Sequence, residues 1–275
     1  MATCELSPLA KRCSGVSFDG VPVLLYHRLH HGTYSGDPRL AKYSIYCPRF
    51  AEQLNQIRQG EYSVALLRKL WTERQVGPKN RRSVVITFDD GQASDYEIVL
   101  PTLLRYGFRA DFFINTSRIG EPGFLNWQQI GEMHSAGMGI QSHSHDHVVL
   151  WRLAAPTLKD QLQRSKELLE DHTSASIECL SVPYGFVNRR IVEMALQIGY
   201  KAVCHSINRP AQLGARFIPR IAVYADTSLD EFAGILRGAP GPYLKRGVRA
   251  AVNYLPKRLL LRYCPSLLRV RLLET

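Results

Sequence analysis

The sequence predicts an α/β fold whose parallel strands close into a distorted barrel, and three observations lead to this prediction. Short apolar runs, rich in β-branched residues and bounded by turn residues, recur along the chain, as buried strands of a parallel sheet do. Segments with apolar residues at every third or fourth position, the spacing of helices, lie between them. Residues suited to catalysis follow several runs, and strand ends that converge on one site favour a barrel over an open doubly wound sheet.

The elements follow from these patterns in chain order. The predicted strands cover residues 21–26, 83–88, 110–114, 138–142, 178–182, 201–204 and 217–223. The clearest predicted helices cover residues 48–59, 158–171 and 189–198. A chain of 275 residues with 45% hydrophobic content suffices for one barrel-sized domain and an appendage. We therefore predict an N-terminal leader over residues 1–19, a domain over residues 20–240 and a basic C-terminal tail over residues 241–275.

The charge of the chain is concentrated in the tail. The formal net charge is +11, and after residue 240 many lysines and arginines stand against the single acid Glu274. Residues 243–273 alternate basic with apolar side chains, so they predict a helical extension that either packs across the barrel or lies on an anionic membrane. No nucleic-acid recognition motif accompanies the charge, so we do not predict nucleic-acid binding.

The cysteines and the hydropathy of the chain predict its compartment. The six cysteines form no CxxC pair, so neither a zinc ribbon nor a dithiol redox motif is indicated. No apolar run reaches the length of a signal peptide core or of a membrane span, which takes about 18 residues. We expect a cytoplasmic protein, with peripheral contact at the inner membrane face through residues 243–273 as an option.

The first chemical motif is TFDDG at residues 87–91, where a predicted strand ends in two adjacent carboxylates, Asp89 and Asp90. Adjacent acids repel each other, so a fold that buries them normally supplies a cation. The alternative is an ordinary turn in which one aspartate caps the next helix.

The second motif is SHSHDH at residues 142–147. His143 and His147 are four residues apart, and both reach one ion if the chain turns into a helix there; His145 competes for the role. Zinc accepts imidazole nitrogen and carboxylate oxygen, and Asp90 or Asp89 offers the carboxylate. A surface histidine cluster is the alternative.

A third motif, VPYG at residues 182–185, follows another predicted strand. Pro183 and the following glycine could aim the backbone N–H of Tyr184 at an oxyanion, although an ordinary turn has the same sequence. Trp127 could stack on a sugar ring, although core packing explains it equally well.

In this order the motifs resemble the polysaccharide deacetylase family, also called the NodB-homology or carbohydrate esterase family four domain, over residues 20 to 225. The resemblance implies a distorted (β/α) barrel with a divalent ion held by Asp90, His143 and His147. It implies that Asp89 is the general base for a metal-activated water and that the Tyr184 backbone N–H stabilises the oxyanion. We expect zinc, with cobalt, nickel or iron as alternatives.

Two positions depart from the family pattern. Ser181 stands where the family commonly has an arginine that orients the base, and Arg220 could supply that charge or contact substrate. The family's late histidine, which acts as general acid, has no counterpart because no histidine follows His205. We therefore take His205 as the first candidate for the acid and His27 as the second.

These residues predict a hydrolase that removes an N-acetyl group from an amino sugar by cleaving a carbon–nitrogen bond other than a peptide bond. Asp89, His205 and Tyr184 are the catalytic candidates, and Pro183, Tyr184, Trp127 and Arg220 are the substrate-binding ones. We expect the substrate to be an N-acetylated sugar or a lipid-linked glycan precursor. A non-catalytic glycan-binding protein of the same fold and a metal phosphoesterase are the alternatives.

Overall fold

The computed structural model describes residues 19–73 and 82–247. The predicted leader, apart from residue 19, and the tail beyond residue 247 therefore lie outside the described residues. The strands are Val23–Tyr26 (β1), Arg28–His30 (β2), Ser44–Tyr46 (β3), Ser63–Ala65 (β4), Ser83–Asp90 (β5), Asp111–Ile114 (β6), Gly139–Ser142 (β7), Cys179–Ser181 (β8), Ala202–His205 (β9), Phe217–Pro219 (β10) and Ile221–Ala222 (β11). The α-helices are Cys47–Gln59, Lys69–Thr72, Leu100–Tyr106, Trp127–Ser135, Ala155–Thr173, Arg189–Ile198 and Leu229–Leu236.

The main sheet is parallel and closes almost completely. Its strand order is β10-β9-β8-β7-β6-β5-β1-β11, and β4 also pairs with β5. The last two strands are one predicted run, which the structure divides at Arg220. Phe217 pairs with Val203 of β9, whereas Ile221 pairs with Leu24 of β1. A single run of chain thus touches both edges of the sheet, and the predicted barrel is confirmed.

Alternation along the strands separates an outer core from the barrel interior, because successive side chains of a strand point to opposite faces. On β5, Val84, Ile86 and Phe88 belong to the large core between sheet and helices, whereas Val85 belongs to a smaller core inside the barrel. Asp89 has the same parity as Val85. The first carboxylate of the pair therefore faces the interior.

Helix caps fix where the connections turn back toward the sheet. Asn126 and Gln129 form a capping box at the start of helix Trp127–Ser135. Asn188 accepts a hydrogen bond from the N–H of Ile191 and begins helix Arg189–Ile198, which ends at Gly199 with a φ of 108°. These are the residue types that helix starts and stops prefer.

The first turns of the predicted tail pack on the barrel. A helix runs from residue 240 to the end of the described range, and Tyr243 Oη donates to the carbonyl oxygen of Ile235 at 2.7 Å. Arg246 is 4% exposed and contacts Ala222 and Thr227. The packed structure therefore continues past residue 240. None of the helices in the two described ranges has the length and apolar character needed to span a membrane.

Candidate metal and catalytic site

The aspartate pair lies at the carboxyl end of β5, where the backbone turns sharply. Asp90 has a φ of 84° and Gly91 a φ of 69°. A non-glycine residue in this left-handed region is uncommon, and such residues cluster at functional sites. Ser144, His147 and Tyr184 share this conformation, as do Glu61 and Ser174 elsewhere in the described ranges. Three chain segments with unusual backbone therefore meet at one place.

The histidine motif forms an irregular loop after β7 and not the helix that its spacing of four would also allow. Residues 143–149 have no helical assignment. Other segments hold the loop instead: the N–H of Ser117 donates to the carbonyl oxygen of His145 at 3.0 Å, and Gln161 bonds both the backbone and the side chain of Asp146. Left-handed φ values of 62° at Ser144 and 51° at His147 reverse the chain. The two imidazoles meet because the loop folds back.

Asp90, His143 and His147 form a group that could hold a metal ion. One ligand atom from each lies within 4.8 Å of the others. Nε2 of His143 and Nε2 of His147 lie 3.4 Å and 3.5 Å from Oδ1 of Asp90. Metal–ligand bonds of about 2.1 Å in a tetrahedron imply about 3.4 Å between ligand atoms. The donor set and its spacing therefore fit a divalent cation.

His143 is oriented from behind by the backbone of β8. Its Nδ1 lies 2.9 Å from the carbonyl oxygen of Ser181, and a proton shared there leaves Nε2 free to ligate a cation. Burial lowers the pKa of His143, but the charges of Asp89 and Asp90 outweigh this effect and raise it above the ordinary histidine value. The site is thus built to hold positive charge.

Asp89 is held by a buried guanidinium. Nη1 and Nη2 of Arg220 lie 2.6 Å and 2.7 Å from its two carboxylate oxygens. Ser181 Oγ donates to Oδ2 of Asp89 at 3.0 Å and accepts from Nη2 of Arg220 at 2.7 Å. Arg220 is 1% exposed and its guanidinium is occupied by Asp89, so it positions the carboxylate, and its predicted contact with substrate stays a prediction.

The two carboxylates keep their charge despite burial. Burial raises the pKa of Asp89, but the charges of Arg220 and His143 outweigh it, so this pKa is lowered. Burial also raises the pKa of Asp90, yet its hydrogen bonds to His143 and His147 lower it well below the ordinary value. The adjacent acids therefore remain ionised because each has its own cationic partners.

Tyr184 adjoins the metal ligands. It has a φ of 60°, and its ring centroid lies 4.8 Å from that of His147. The preceding Pro183 is buried, and the following Gly185 has a φ of 70°. The segment therefore forms a tight turn next to the histidine loop.

The two candidates for the general acid, His27 and His205, lie on opposite faces of the sheet. His27 has the parity of Val23, an interior residue of β1, and its pKa is lowered first by burial while the charges of Asp90 and Asp89 raise it. His205 has the parity of Val203, which faces the outer core, and its ring stacks on Phe217 at 3.8 Å. The geometry therefore favours His27.

The remaining candidates are engaged elsewhere. Trp127 stacks on His172 with ring centroids 3.6 Å apart, and it packs against the outer core. His145 lies 2.8 Å from Oγ1 of Thr116 through its Nδ1 and does not belong to the ligand group. Core packing is thus the arrangement found for Trp127.

Sequence reasoning did not single out Asp95. It is fully buried in a π-turn, Asp95–Val99. Burial, followed by the charge of Asp90, raises its pKa well above the ordinary value. A carboxylate five residues after Asp90 was the available signal, but its burial depends on a helical turn that periodicity does not reveal.

Known proteins are similar to this chain in sequence. The family model of polysaccharide deacetylases matches residues 76–203. YxkH of Bacillus subtilis, assigned as a polysaccharide deacetylase, is 26% identical over 66% of this chain and 62% of its own length. The poly-β-1,6-N-acetyl-D-glucosamine N-deacetylase of Staphylococcus aureus is 26% identical over 74% of this chain and 78% of its own length. The chain thus spans less than two thirds of YxkH.

Solved structures share the fold. The deacetylase PplD of Streptococcus pyogenes, in complex with acetate, has a TM-score of 0.69 at 22% identity and covers 76% of this chain and 94% of its own. IcaB from Ammonifex degensii has a TM-score of 0.67 at 24% identity and covers 80% of this chain and 97% of its own. The barrel, the motifs and the family match over residues 76–203 together make this chain similar to polysaccharide deacetylases.

Proposed function

We propose that this chain is a metal-dependent N-deacetylase that hydrolyses the N-acetyl group of an amino sugar within a glycan or a glycan precursor. The observation that carries the proposal is the pairing of a three-ligand group, Asp90, His143 and His147, with a second carboxylate, Asp89, held in its ionised form by Arg220. A site that only binds glycans has no need of both. The names of the S. aureus and S. pyogenes relatives support the same chemistry.

The metal would be held by Asp90, His143 and His147, and zinc is our first choice for a site of two imidazoles and one carboxylate. When bound, such an ion acts as a Lewis acid that polarises a carbonyl oxygen and lowers the pKa of a coordinated water toward about 7. Cobalt, nickel and iron accept the same donors, so metal analysis of the purified protein is needed to identify the ion.

Asp89 is the proposed general base. It accepts a proton from the attacking water, and the oxygen of that water forms a bond to the amide carbonyl carbon. The Arg220 fork fixes both carboxylate oxygens, so the base keeps one orientation while it takes the proton. The Tyr184 backbone N–H is the proposed donor to the oxygen that becomes negative.

His27 is the proposed general acid. Cleavage of the carbon–nitrogen bond leaves an amine that needs a proton, and the products are acetate and a free amino sugar. His27 follows β1 on the interior face and interacts electrostatically with Asp89, Asp90 and His143. His205 stays the alternative acid.

We propose the class of substrate only, whereas the reaction is proposed residue by residue. The relatives' names point to N-acetylated polysaccharide, and a lipid-linked glycan precursor at the inner membrane face remains our proposal for a cytoplasmic chain with a basic tail. The phosphoesterase alternative would require a second ligand cluster, whereas in the described ranges the structure has the single group named above.

The test is acetate release from a panel of N-acetylated sugars, soluble, oligomeric and lipid-linked. The zinc-loaded chain is compared with Asp89→Asn, His143→Ala and the control His134→Ala, which removes an imidazole outside the site. We expect wild type and the control to release acetate. Asp89→Asn should bind zinc fully but release no acetate, and His143→Ala should lose its zinc and with it acetate release. Undiminished release by Asp89→Asn would contradict the proposal.

A further inference from the structure

A polar groove of about 280 Å³ adjoins the proposed active site. Arg28 and Gln92 both line it, and each belongs to a segment that also carries a site residue. Arg28 directly follows His27, and Gln92 follows Asp90 by two positions. Two Cα–Cα steps span at most about 7.6 Å, so the Cα of Gln92 lies within that distance of the Cα of Asp90.

The groove offers donors for an anion. Its lining includes Arg28, His30, His31, Thr33 and Ser35, and no aspartate or glutamate is among the described residues that line it. Nη2 of Arg28 donates to Oε1 of Gln92 at 3.0 Å, which fixes the guanidinium against the segment that follows Asp90. A guanidinium carries five N–H donors, and its planar fork matches the oxygens of a phosphate.

Two carboxylates, those of Asp37 and Asp95, interact electrostatically with Arg28. Asp37 interacts with Arg28, but it is chelated by Arg39, whose Nε and Nη2 lie 2.9 Å and 2.7 Å from its Oδ2. Asp95 also interacts with Arg28, but it is fully buried, and neither of its carboxylate oxygens has a hydrogen-bond partner among the described residues. The Arg28 guanidinium hydrogen-bonds a neutral amide, that of Gln92, so its positive charge is available to a ligand.

Aromatic rings border the groove. The ring of His30 lies 5.5 Å from that of Tyr34 and 5.9 Å from that of Tyr46, and Tyr46 is 48% exposed. Tyrosine rings pair an apolar face with a polar edge, which suits contact with sugar rings. The groove thus joins a sugar-binding surface to a cationic one.

We infer that this groove is a subsite for a phosphate ester carried by the N-acetylated substrate. The inference rests on the proposed function and names its substrate class: an N-acetylated amino sugar bearing phosphate, either as a soluble sugar phosphate or through a diphosphate link to a lipid. Arg28 is the principal contact, and His31 and the Thr33 and Ser35 hydroxyls supply further donors.

The test compares three substrates that share one N-acetylhexosamine: the neutral methyl glycoside, the 1-phosphate, and the polyprenyl diphosphate. For each, kcat/KM is measured with the zinc-loaded wild type, Arg28→Gln, His31→Gln and the control Arg189→Gln. Arg189 is exposed and pairs with Glu193 on a helix surface, so its substitution makes the same charge change elsewhere. We expect the preference for phosphate over neutral substrate to fall about tenfold or more in Arg28→Gln, as for a lost charge-assisted hydrogen bond.

The substrates separate the two sources of phosphate. Equal preference for the 1-phosphate and the lipid-linked form supports recognition of the phosphate alone, and a preference confined to the lipid-linked form, lost in Arg28→Gln, supports the diphosphate link. A wild type without preference for phosphate, or a preference unchanged in both Arg28→Gln and His31→Gln, overturns the subsite while leaving the deacetylase intact.

Direct binding keeps the subsite testable if no substrate is hydrolysed. The affinity of the sugar 1-phosphate is then measured by calorimetry with the same four proteins, all in the same metal state and all with matching melting temperatures. Weaker binding by Arg28→Gln but not by Arg189→Gln supports the subsite although the proposed function has failed. Equal affinity for all four overturns it.

Discussion

Arg220 is the residue on which the proposed base depends most directly. Its guanidinium contacts both oxygens of Asp89, the hydroxyl of Ser181 and the face of the Phe113 ring at 4.9 Å. A buried ion pair contributes little net stability compared with an apolar pair, but removal of one partner strands the other charge. Ser181 is small enough to share this space, so Asp89 receives its guanidinium from Arg220 and not from position 181.

Replacement of Arg220 by glutamine should damage both stability and catalysis. It leaves Asp89 buried without its guanidinium, a change that costs about 3–5 kcal/mol of unfolding free energy. Since the charge of Arg220 lowers the pKa of Asp89 against the effect of burial, the pKa of Asp89 rises in the variant. The acidic limb of the kcat profile should therefore move to higher pH, as measured with the best acetylated substrate.

A double variant tests whether position or charge matters. Arg220→Ser combined with Ser181→Arg returns a guanidinium to the position where the family commonly carries it. Partial recovery of kcat, relative to Arg220→Ser alone, is expected. Full activity of Arg220→Gln would contradict the assigned role.

Asp111 makes a separate prediction about stability. Its Oδ2 accepts from the N–H of Leu67 at 2.7 Å, and burial raises its pKa to about 7. The unfolded value is about 3.9, so the folded state holds the proton more tightly. The stability it contributes is present below pH 4 and is lost as pH rises toward 7, by about 1.4 kcal/mol per pH unit.

Asp111→Asn should remove that loss, because an amide does not titrate and can still accept from Leu67. The variant should therefore gain stability relative to wild type between pH 5 and pH 8 in urea unfolding. A constant difference between the two proteins across this range would refute the assignment.

At the scale of elements, the histidine loop depends on backbone that most residues avoid. Ser144 has a φ of 62° and is fully buried, and its N–H donates to Oγ of Ser142 at 3.2 Å. A left-handed conformation costs an L-residue about 1–2 kcal/mol, a cost that glycine does not bear. The loop therefore carries strain in order to bring His143 and His147 together.

Substitutions at Ser144 should reverse the ordinary order of glycine and alanine. Ser144→Gly is expected to be about 1 kcal/mol more stable than Ser144→Ala, because only alanine retains the strained Cβ. At ordinary positions glycine is the less stable of the two by about 0.5–1 kcal/mol. Denaturation of both variants, with zinc content measured in parallel, checks this order. A higher unfolding free energy for Ser144→Ala than for Ser144→Gly would show that the strain is absent.

The elements also show what the sequence can and cannot predict. Runs such as residues 83–88 were recognisable because buried parallel strands are continuously apolar, and helix Arg189–Ile198 was predicted with its observed bounds. For the histidine loop the spacing of four allowed a helix but did not predict the fold of the segment. Its real shape depends on contacts with Thr116 and Gln161, which lie on other elements and leave no local pattern.

At the scale of the whole molecule, closure of the barrel creates the site. The run from Phe217 to Ala222 passes from β9 to β1, and Arg220 is the residue between its two halves. From there its side chain reaches Asp89 across the interior. The sequence offered Arg220 either as the charge that orients Asp89 or as a contact for substrate. Its contact with Asp89 became evident only from the pairing of this run with both β9 and β1.

The end of the described chain completes this architecture. Arg246 is 4% exposed, donates from Nη2 to Oγ1 of Thr227 at 2.9 Å, and pairs through Nε with Oε1 of Glu231 at 2.9 Å. It also contacts the carbonyl oxygen of Ala222 at the end of β11. The helix that begins at residue 240 thus braces the strand next to Arg220, and the basic character of this segment has a structural use.

Two neighbouring cations test whether this brace matters. Arg246→Gln removes a buried charge and leaves Glu231, whose side chain is 15% exposed, without its closest partner, so we expect a loss of about 3 kcal/mol of unfolding free energy. Lys245→Gln makes the same charge change on a side chain that is 70% exposed and lies 3.3 Å from the same glutamate, so its effect should stay below about 1 kcal/mol. Urea unfolding of both variants gives the comparison. Equal effects would mean that the segment contributes only surface charge, whereas a loss confined to Arg246→Gln, with a parallel fall in kcat, would show that the helix supports the strand beside the base.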